Sequence, residues 1–200
     1  MTSLRAAGLA TWQWVVRADQ AMLLRVRRLE SDEMTRFMRR MTRLGDPISW
    51  IVMGLALAAV GGPRYAWLLG LGATTAASLA QVLKRLFCRP RPPCGIGGFS
   101  ALHTIPDAFS FPSGHTAAAF GVAVALSGEG SGIALLTLAL AAGIAISRIY
   151  LGAHYPLDVA AGVLVGAGTG IATRLVVDSF HLLAYLGYAG LMLISSGIGS

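Results

Sequence analysis

Two histidines, one aspartate and a group of cations stand at spacings that invite chemistry. His115 closes the stretch FPSGH, residues 111–115, at the mouth of an Ala-rich run, and His154 and Asp158 lie four residues apart. Lys84, Arg85, Arg89 and Arg91 crowd the stretch KRLFCRPRP, and Arg148 follows Ser147. Arginine forks grip phosphate oxygens in pairs, while lysine supplies a compact charge. Ser113 and Gly114 open a helix whose unpaired backbone N–H groups can approach an anion closely. A phosphoryl group in transfer spreads negative charge over its equatorial oxygens, so fixed cations stabilise its transition state. Two imidazoles divide the remaining work: one attacks phosphorus, and the other protonates the leaving oxygen and later activates water. A carboxylate holding one ring nitrogen makes the other more nucleophilic. Asp158 therefore favours His154 as nucleophile and leaves His115 as acid and base. No cluster of carboxylates offers a magnesium or zinc site, so Lys84, Arg91 and Arg148 would replace the metal, and no cofactor is expected.

Singly, each residue has a plainer reading. A lone His115 is more often an interfacial cap, Lys84 and Arg85 are ordinary headgroup anchors, and Arg148 at a helix end usually snorkels. The chemistry depends on whether the elements bring these residues together.

Composition defines those elements. The 200 residues are 55% hydrophobic and only 12% charged, with a mean hydropathy of +0.66. That is about half the charged share of a soluble domain, and it excludes a water-soluble fold. The formal charge of +7 could mark a nucleic-acid binder, but the cations form no stripe with interleaved aromatics. They flank apolar runs, where they face membrane headgroups; the expected partners are membrane lipids and a lipid phosphate, not nucleic acid. Apolar runs cover residues 48–60, 65–83, 116–126, 133–146, 157–177 and 182–195. Several fall short of the ~20 residues that cross a bilayer, so their polar flanks extend them. Residues 61–63 and 127–132 are tight turns, and the Pro- and Gly-rich loop between 87 and 115 is too irregular to lie in lipid. Following the runs back and forth places residues 84–91, 112–115 and 147–158 on one membrane face. The chain reads as an all-α, polytopic membrane helix bundle.

Residues 1–45 differ from the rest. Met34, Phe37, Met38, Met41 and Leu44 recur at three- and four-residue steps between Arg36, Arg39, Arg40 and Arg43. That pattern is an amphipathic, interfacial helix. Residues 8–26 could cross the bilayer, but Arg17 and Asp19 would cost about 2.5–3.5 kcal/mol each at its centre. No apolar stretch with a small-residue cleavage site follows Arg5, so no signal peptide is expected. Cys88 and Cys94 could pair or remain thiols, and they lack the spacing of a zinc site. The divisions are 1–45, an N-terminal region with a possible span; 46–177, a membrane core; and 178–200, an additional apolar helix.

These residues carry a resemblance. The chain resembles the type-2 phosphatidic acid phosphatases, membrane relatives of the vanadium haloperoxidases. Their first signature, Lys, six residues, then Arg-Pro, matches Lys84, Arg91 and Pro92. Their second, Pro-Ser-Gly-His, matches Pro112, Ser113, Gly114 and His115. Their third, Ser-Arg, five residues, His, three residues, Asp, matches Ser147, Arg148, His154 and Asp158. The resemblance implies a six-helix membrane core. It implies Lys84, Arg91, Arg148, Ser113 and Gly114 as phosphate binders, His154 as the residue that becomes phosphohistidine, Asp158 as its partner and His115 as general acid. It also implies an inner-membrane enzyme with its site at the periplasmic face, acting without metal on a lipid phosphate or diphosphate. Undecaprenyl diphosphate, phosphatidylglycerol phosphate, phosphatidic acid and lipid A phosphates are the candidate substrates. A lipid phosphotransferase using the same intermediate, and a non-enzymatic lipid-binding or transport protein, are the alternatives. The charged segment 8–26, where the family has its first span, and the apolar run 182–195 depart from the pattern.

Overall fold

A computed structural model of the chain describes residues 2–104 and 107–197, with side chains from residue 13 to 189. The helices are α1 (Thr2–Arg27), α2 (Asp32–Arg43), α3 (Pro47–Gly61), α4 (Pro63–Phe87), a single turn α5 (Pro92–Gly95), α6 (Gly114–Ala125), α7 (Ser131–Tyr150) and α8 (Pro156–Gly197). Among the described residues the β pairing is one isolated antiparallel bridge, between Pro90 and Phe109, inside the long loop.

Local sequence explains the breaks. Prolines begin α3, α4, α5 and α8, where the missing N–H costs nothing. Ser31 caps α2 by accepting from the Met34 N–H at 3.3 Å, and Asp32 and Glu33 complement the positive end of the helix dipole. Gly62 separates α3 from α4 with a φ of 84°, a conformation that L side chains resist.

Helices α4, α7 and α8 are long and apolar enough to cross a membrane; α2 and α3, bent by 63°, make a fourth crossing if counted together. At 1.5 Å per residue, the 25 residues of α4 and the 20 of α7 extend about 37 and 30 Å, against a hydrocarbon core of about 30 Å. The molecule is an all-α membrane bundle.

Helix α6 is the axis of that bundle. Ala117, Ala118, Ala119, Val122, Ala123 and Ala125 are all buried, clasped between α4 and α8. The approach is backbone to backbone: a Cβ added to Gly121 would lie 2.5 Å from the Gly72 carbonyl oxygen. Small residues permit this in membranes, where helices associate by close packing. Gly72 against Gly121, and Gly162 against Ser113 and Thr116, set the relative heights of the three helices. Lys84, Gly114 and Asp158 consequently stand in one layer.

One expectation of the sequence reading changes, and the structure adds detail to two regions. Residues 157–177 and 182–195 were expected as separate apolar runs; they belong to the single 42-residue α8. Nothing breaks it, since residues 178–181 are Asp, Ser, Phe and His. At about 63 Å it is twice a hydrocarbon core, and it passes the far end of the bundle at Asp178. There Arg64 binds Glu129 at 2.8 Å and Asp178 at 2.6 Å. Residues 198–200 of the expected C-terminal region lie outside the described residues. On α2, Thr35 and Thr42 are buried and meet hydrogen-bond partners; Met41 packs against the core, while Met34, Phe37 and Leu44 are exposed. On α1, the described part of residues 8–26 buries Asp19 and Leu23 against the loops beside the predicted motifs. Arg27 donates to the Ser100 carbonyl at 2.8 Å and covers the Phe99 ring.

Candidate active site

The three motif segments meet where α4 ends and where α6 and α8 begin. Pro156 opens α8 just after His154, so His154 precedes the helix and Asp158 lies in its first turn. The turn between α7 and α8 is sharp. Gly152 adopts a φ of 71° with the Phe99 ring packed where a Cβ would stand, and the His154 N–H donates back to the Arg148 carbonyl at 3.2 Å.

His154 is 1% exposed. Its Nδ1 lies 2.7 Å from the Ser110 carbonyl oxygen, which can only accept, so Nδ1 carries the proton and Nε2 keeps its lone pair. Arg91 donates to that Nε2 at 3.2 Å. Burial, with Arg148, Arg91 and Lys84 nearby, holds this imidazole well below 6.5, so it is neutral at neutral pH.

The sequence reading had Asp158 hold His154 directly, on one helix face. In the structure the carboxylate is 3.7 Å from Nδ1, beyond hydrogen-bond reach, because Pro156 starts the helix after the histidine and the Ser110 carbonyl takes the proton. Asp158 accepts instead from the Tyr155 N–H at 2.9 Å and from Arg89 at 2.6 Å. It remains a fully buried negative charge beside the ring.

The cations surround this histidine. Lys84, Arg91 and Arg148 are 7%, 4% and 3% exposed. Arg91 is anchored by the carbonyls of Ala153 at 2.7 Å and Asp107 at 2.9 Å. Burial and Arg148 lower it to about 10, which leaves it charged at neutral pH. Arg148 donates to Thr42 Oγ1 at 2.7 Å, while its Nε is buried with no partner. A buried donor without an acceptor is costly, and an arriving anion would satisfy it. Lys84 and Arg91 both reach the Asp107 carboxylate, so they lie within reach of a single anion. Ser113 precedes α6 without a side-chain cap bond, leaving first-turn N–H groups unspent; its hydroxyl accepts from Thr116 at 3.0 Å and can still donate.

His115 faces the same space from the start of α6, and its Nε2 lies 3.0 Å from Asp46 Oδ1. Asp46, Asp107, Asp19 and the Ser110 carbonyl escaped the sequence reading as site groups, and Arg89 was read only as one of the clustered cations. Asp46 had one usable signal, an acid directly before the helix-starting Pro47 on the face that holds His115. The others depend on folding of the long loop and α1.

Comparison with known proteins identifies the family. The PAP2 superfamily model matches residues 65–181. The decaprenylphosphoryl-5-phosphoribose phosphatase of Mycobacterium tuberculosis is 38% identical over 135 residues, covering 66% of this chain and 71% of that protein. The crystal structure of Aquifex aeolicus LpxE superposes with a TM-score of 0.69 at 30% identity, covering 76% of this chain and 92% of that one. The transmembrane PAP2-type phosphatidylglycerolphosphate phosphatase of Bacillus subtilis gives 0.65 at 26%, covering 84% and 86%. With more than half the chain inside the family model and 71% of a curated relative matched, this protein belongs to the PAP2 superfamily of membrane phosphatases.

Proposed function

We propose that this protein hydrolyses the phosphomonoester of a membrane lipid through a phosphohistidine on His154. The observation that carries the proposal is a neutral, buried imidazole whose free Nε2 faces Arg91, inside a ring completed by Lys84 and Arg148. Substrate phosphate takes the place of the Asp107 carboxylate on Lys84 and Arg91 and satisfies Arg148 Nε. Nε2 attacks phosphorus, the P–O bond to the lipid breaks, and His115 gives its proton to the leaving oxygen. Asp46 pulls the His115 ring towards its charged form against burial and the Arg148 charge, which together hold it down to about 4; an arriving phosphate anion adds to the pull of Asp46. Water then loses a proton to His115 and displaces the phosphoryl group from Nε2, releasing inorganic phosphate. The cations offset the charge on the equatorial oxygens throughout.

The groove leading to the site supports a substrate class. It is a cavity of about 510 Å³ between α3 and α4, with Lys84 and His115 at its head. Trp50 of α3 and Leu69 and Ala73 of α4 are part of its apolar lining, and Thr74, Ser78 and Gln81 of α4 also line it. Polar side chains facing a lipid groove are costly unless something bonds to them. We infer that a hydroxyl-bearing unit joins the reactive phosphate to the apolar chain, as a sugar phosphate on a polyprenyl carrier would. The name of the Mycobacterium tuberculosis relative describes such a molecule.

The test is phosphate release in detergent from a polyprenyl-linked sugar phosphate, undecaprenyl diphosphate, phosphatidylglycerol phosphate, phosphatidic acid and a lipid A phosphate. The sugar phosphate should turn over fastest, and His154→Ala should abolish turnover of all five. Parent-level rates in His154→Ala would end the phosphohistidine reading. A preference for the diphosphate would end the inference about the groove.

A further inference from the structure

Asp158 is held by a guanidinium at a position that the first motif leaves undefined, between Lys84 and Arg91. Arg89 Nη1 donates to Asp158 Oδ1 at 2.6 Å, and its Nη2 donates to Asp19 Oδ2, also at 2.6 Å. The guanidinium lies 4.2 Å from the centroid of the Tyr155 ring, which fixes its plane. Asp19 spends its other oxygen on the Leu157 N–H at 2.9 Å, an orphan donor in the first turn of α8. The two carboxylate side chains are 5% and 0% exposed. One cation thus serves two buried anions, and the trio carries a net negative charge of one. Asp19 comes from α1, outside residues 65–181 that match the family model.

The arithmetic of charge gives Asp19 a role. A buried Asp158 paired alone with Arg89 would be a neutral couple beside His154. With Asp19 drawing on the other half of the fork, Asp158 keeps negative character towards a ring that becomes cationic when it takes phosphorus. The Leu157 contact also fixes the first turn of α8, and with it the direction of the Asp158 side chain. Lysine at position 89 would be a point charge unable to fork between two acids.

We propose that Asp19 and Arg89 are positioning residues: together they set the place and charge of Asp158 beside His154, so that helix α1 is part of the catalytic apparatus. The proposal rests on the role given above to His154 and Asp158. Because the phosphate cradle of Lys84, Arg91 and Arg148 does not include the pair, its loss should appear in kcat and not in KM.

The experiment measures kcat and KM for a lipid phosphomonoester in detergent with Asp19→Asn, Arg89→Lys and the double variant, beside His154→Ala. The expected result is a fall in kcat of about tenfold for each single variant with KM within about twofold, and a double variant milder than the product of the two losses. Parent kcat in Asp19→Asn, losses that multiply, or a change confined to KM would overturn the proposal. Should Asp19→Asn fail to fold, as judged by thermal melting of the purified protein, Arg89→Lys decides by the same criterion. An inactive His154→Ala beside a fully active Asp19→Asn sinks this inference alone; an active His154→Ala sinks the reading beneath it.

Discussion

The contact between Asp46 and His115 turns a histidine at a helix mouth into a candidate proton donor. A carboxylate 3.0 Å from Nε2 orients the ring and works against the burial and the Arg148 charge that lower it to about 4. General acid catalysis contributes on the order of 10²–10⁴-fold, so His115→Ala should lose that much, and Asp46→Asn should slow turnover at least about tenfold. Leaving-group dependence checks the assignment: an aryl phosphate, whose phenolate leaves without a proton, should recover most of the loss in both variants. His154 makes a second prediction at this scale. Its buried imidazole is held well below 6.5 by desolvation and three cations. The neutral form is the nucleophile, so the acid limb due to His154 should fall below pH 6.5. Stability has the matching sign: below 6.5 the unfolded chain takes up a proton that the native site refuses, so folding stability is lost as pH falls. Thermal unfolding between about pH 7.5 and 5 should show this, with a shallower slope in His154→Gln.

Helix α6 carries the catalytic alignment, because its N-terminus supplies Gly114 and His115 while its flanks set the heights of α4 and α8. Its packing depends on absent side chains. A Cβ on Gly121 would meet the Gly72 carbonyl at 2.5 Å and the Ala76 methyl at 3.0 Å, so Gly121→Val must push backbones apart. Overpacking costs about 1–3 kcal/mol, and the displacement would also separate Lys84 from His115. The expected outcome is a lower melting temperature together with reduced turnover in detergent. Gly70→Ala on α4, where an added Cβ meets nothing within 4 Å, should leave both near the parent. The same helix was plain in the sequence as an Ala-rich run after FPSGH, yet its partners were not. Small residues at four-residue steps on α8, Gly162, Gly166 and Gly170, signal close approach without naming the neighbour.

At the scale of the whole molecule, charge and family resemblance pull the site towards opposite faces of the membrane. The family resemblance implies the periplasmic face. The Arg-rich α2 lies on the site's own face, with Arg39 donating to the Leu102 carbonyl at 2.9 Å, and the positive-inside rule would draw that face to the cytoplasm. Cys88 and Cys94 are exposed free thiols on the loop beside the site. We propose the periplasmic orientation, which requires an impermeant maleimide to label them in intact cells; labelling only after lysis would reverse it. The sequence alone determined the membrane class, the helical architecture and the motif residues, because hydropathy and fixed motif spacings are local properties of the chain. It also implied that 84–91, 112–115 and 147–158 share a face, since each apolar run reverses direction. Tertiary structure decided what surrounds each functional group. Asp46 beside His115, the Ser110 carbonyl on His154, and Arg89 divided between Asp19 and Asp158 join residues 44 to 70 positions apart. No periodicity encodes such pairs; they arise when a long loop and an N-terminal helix settle over the bundle and buried charges must find partners.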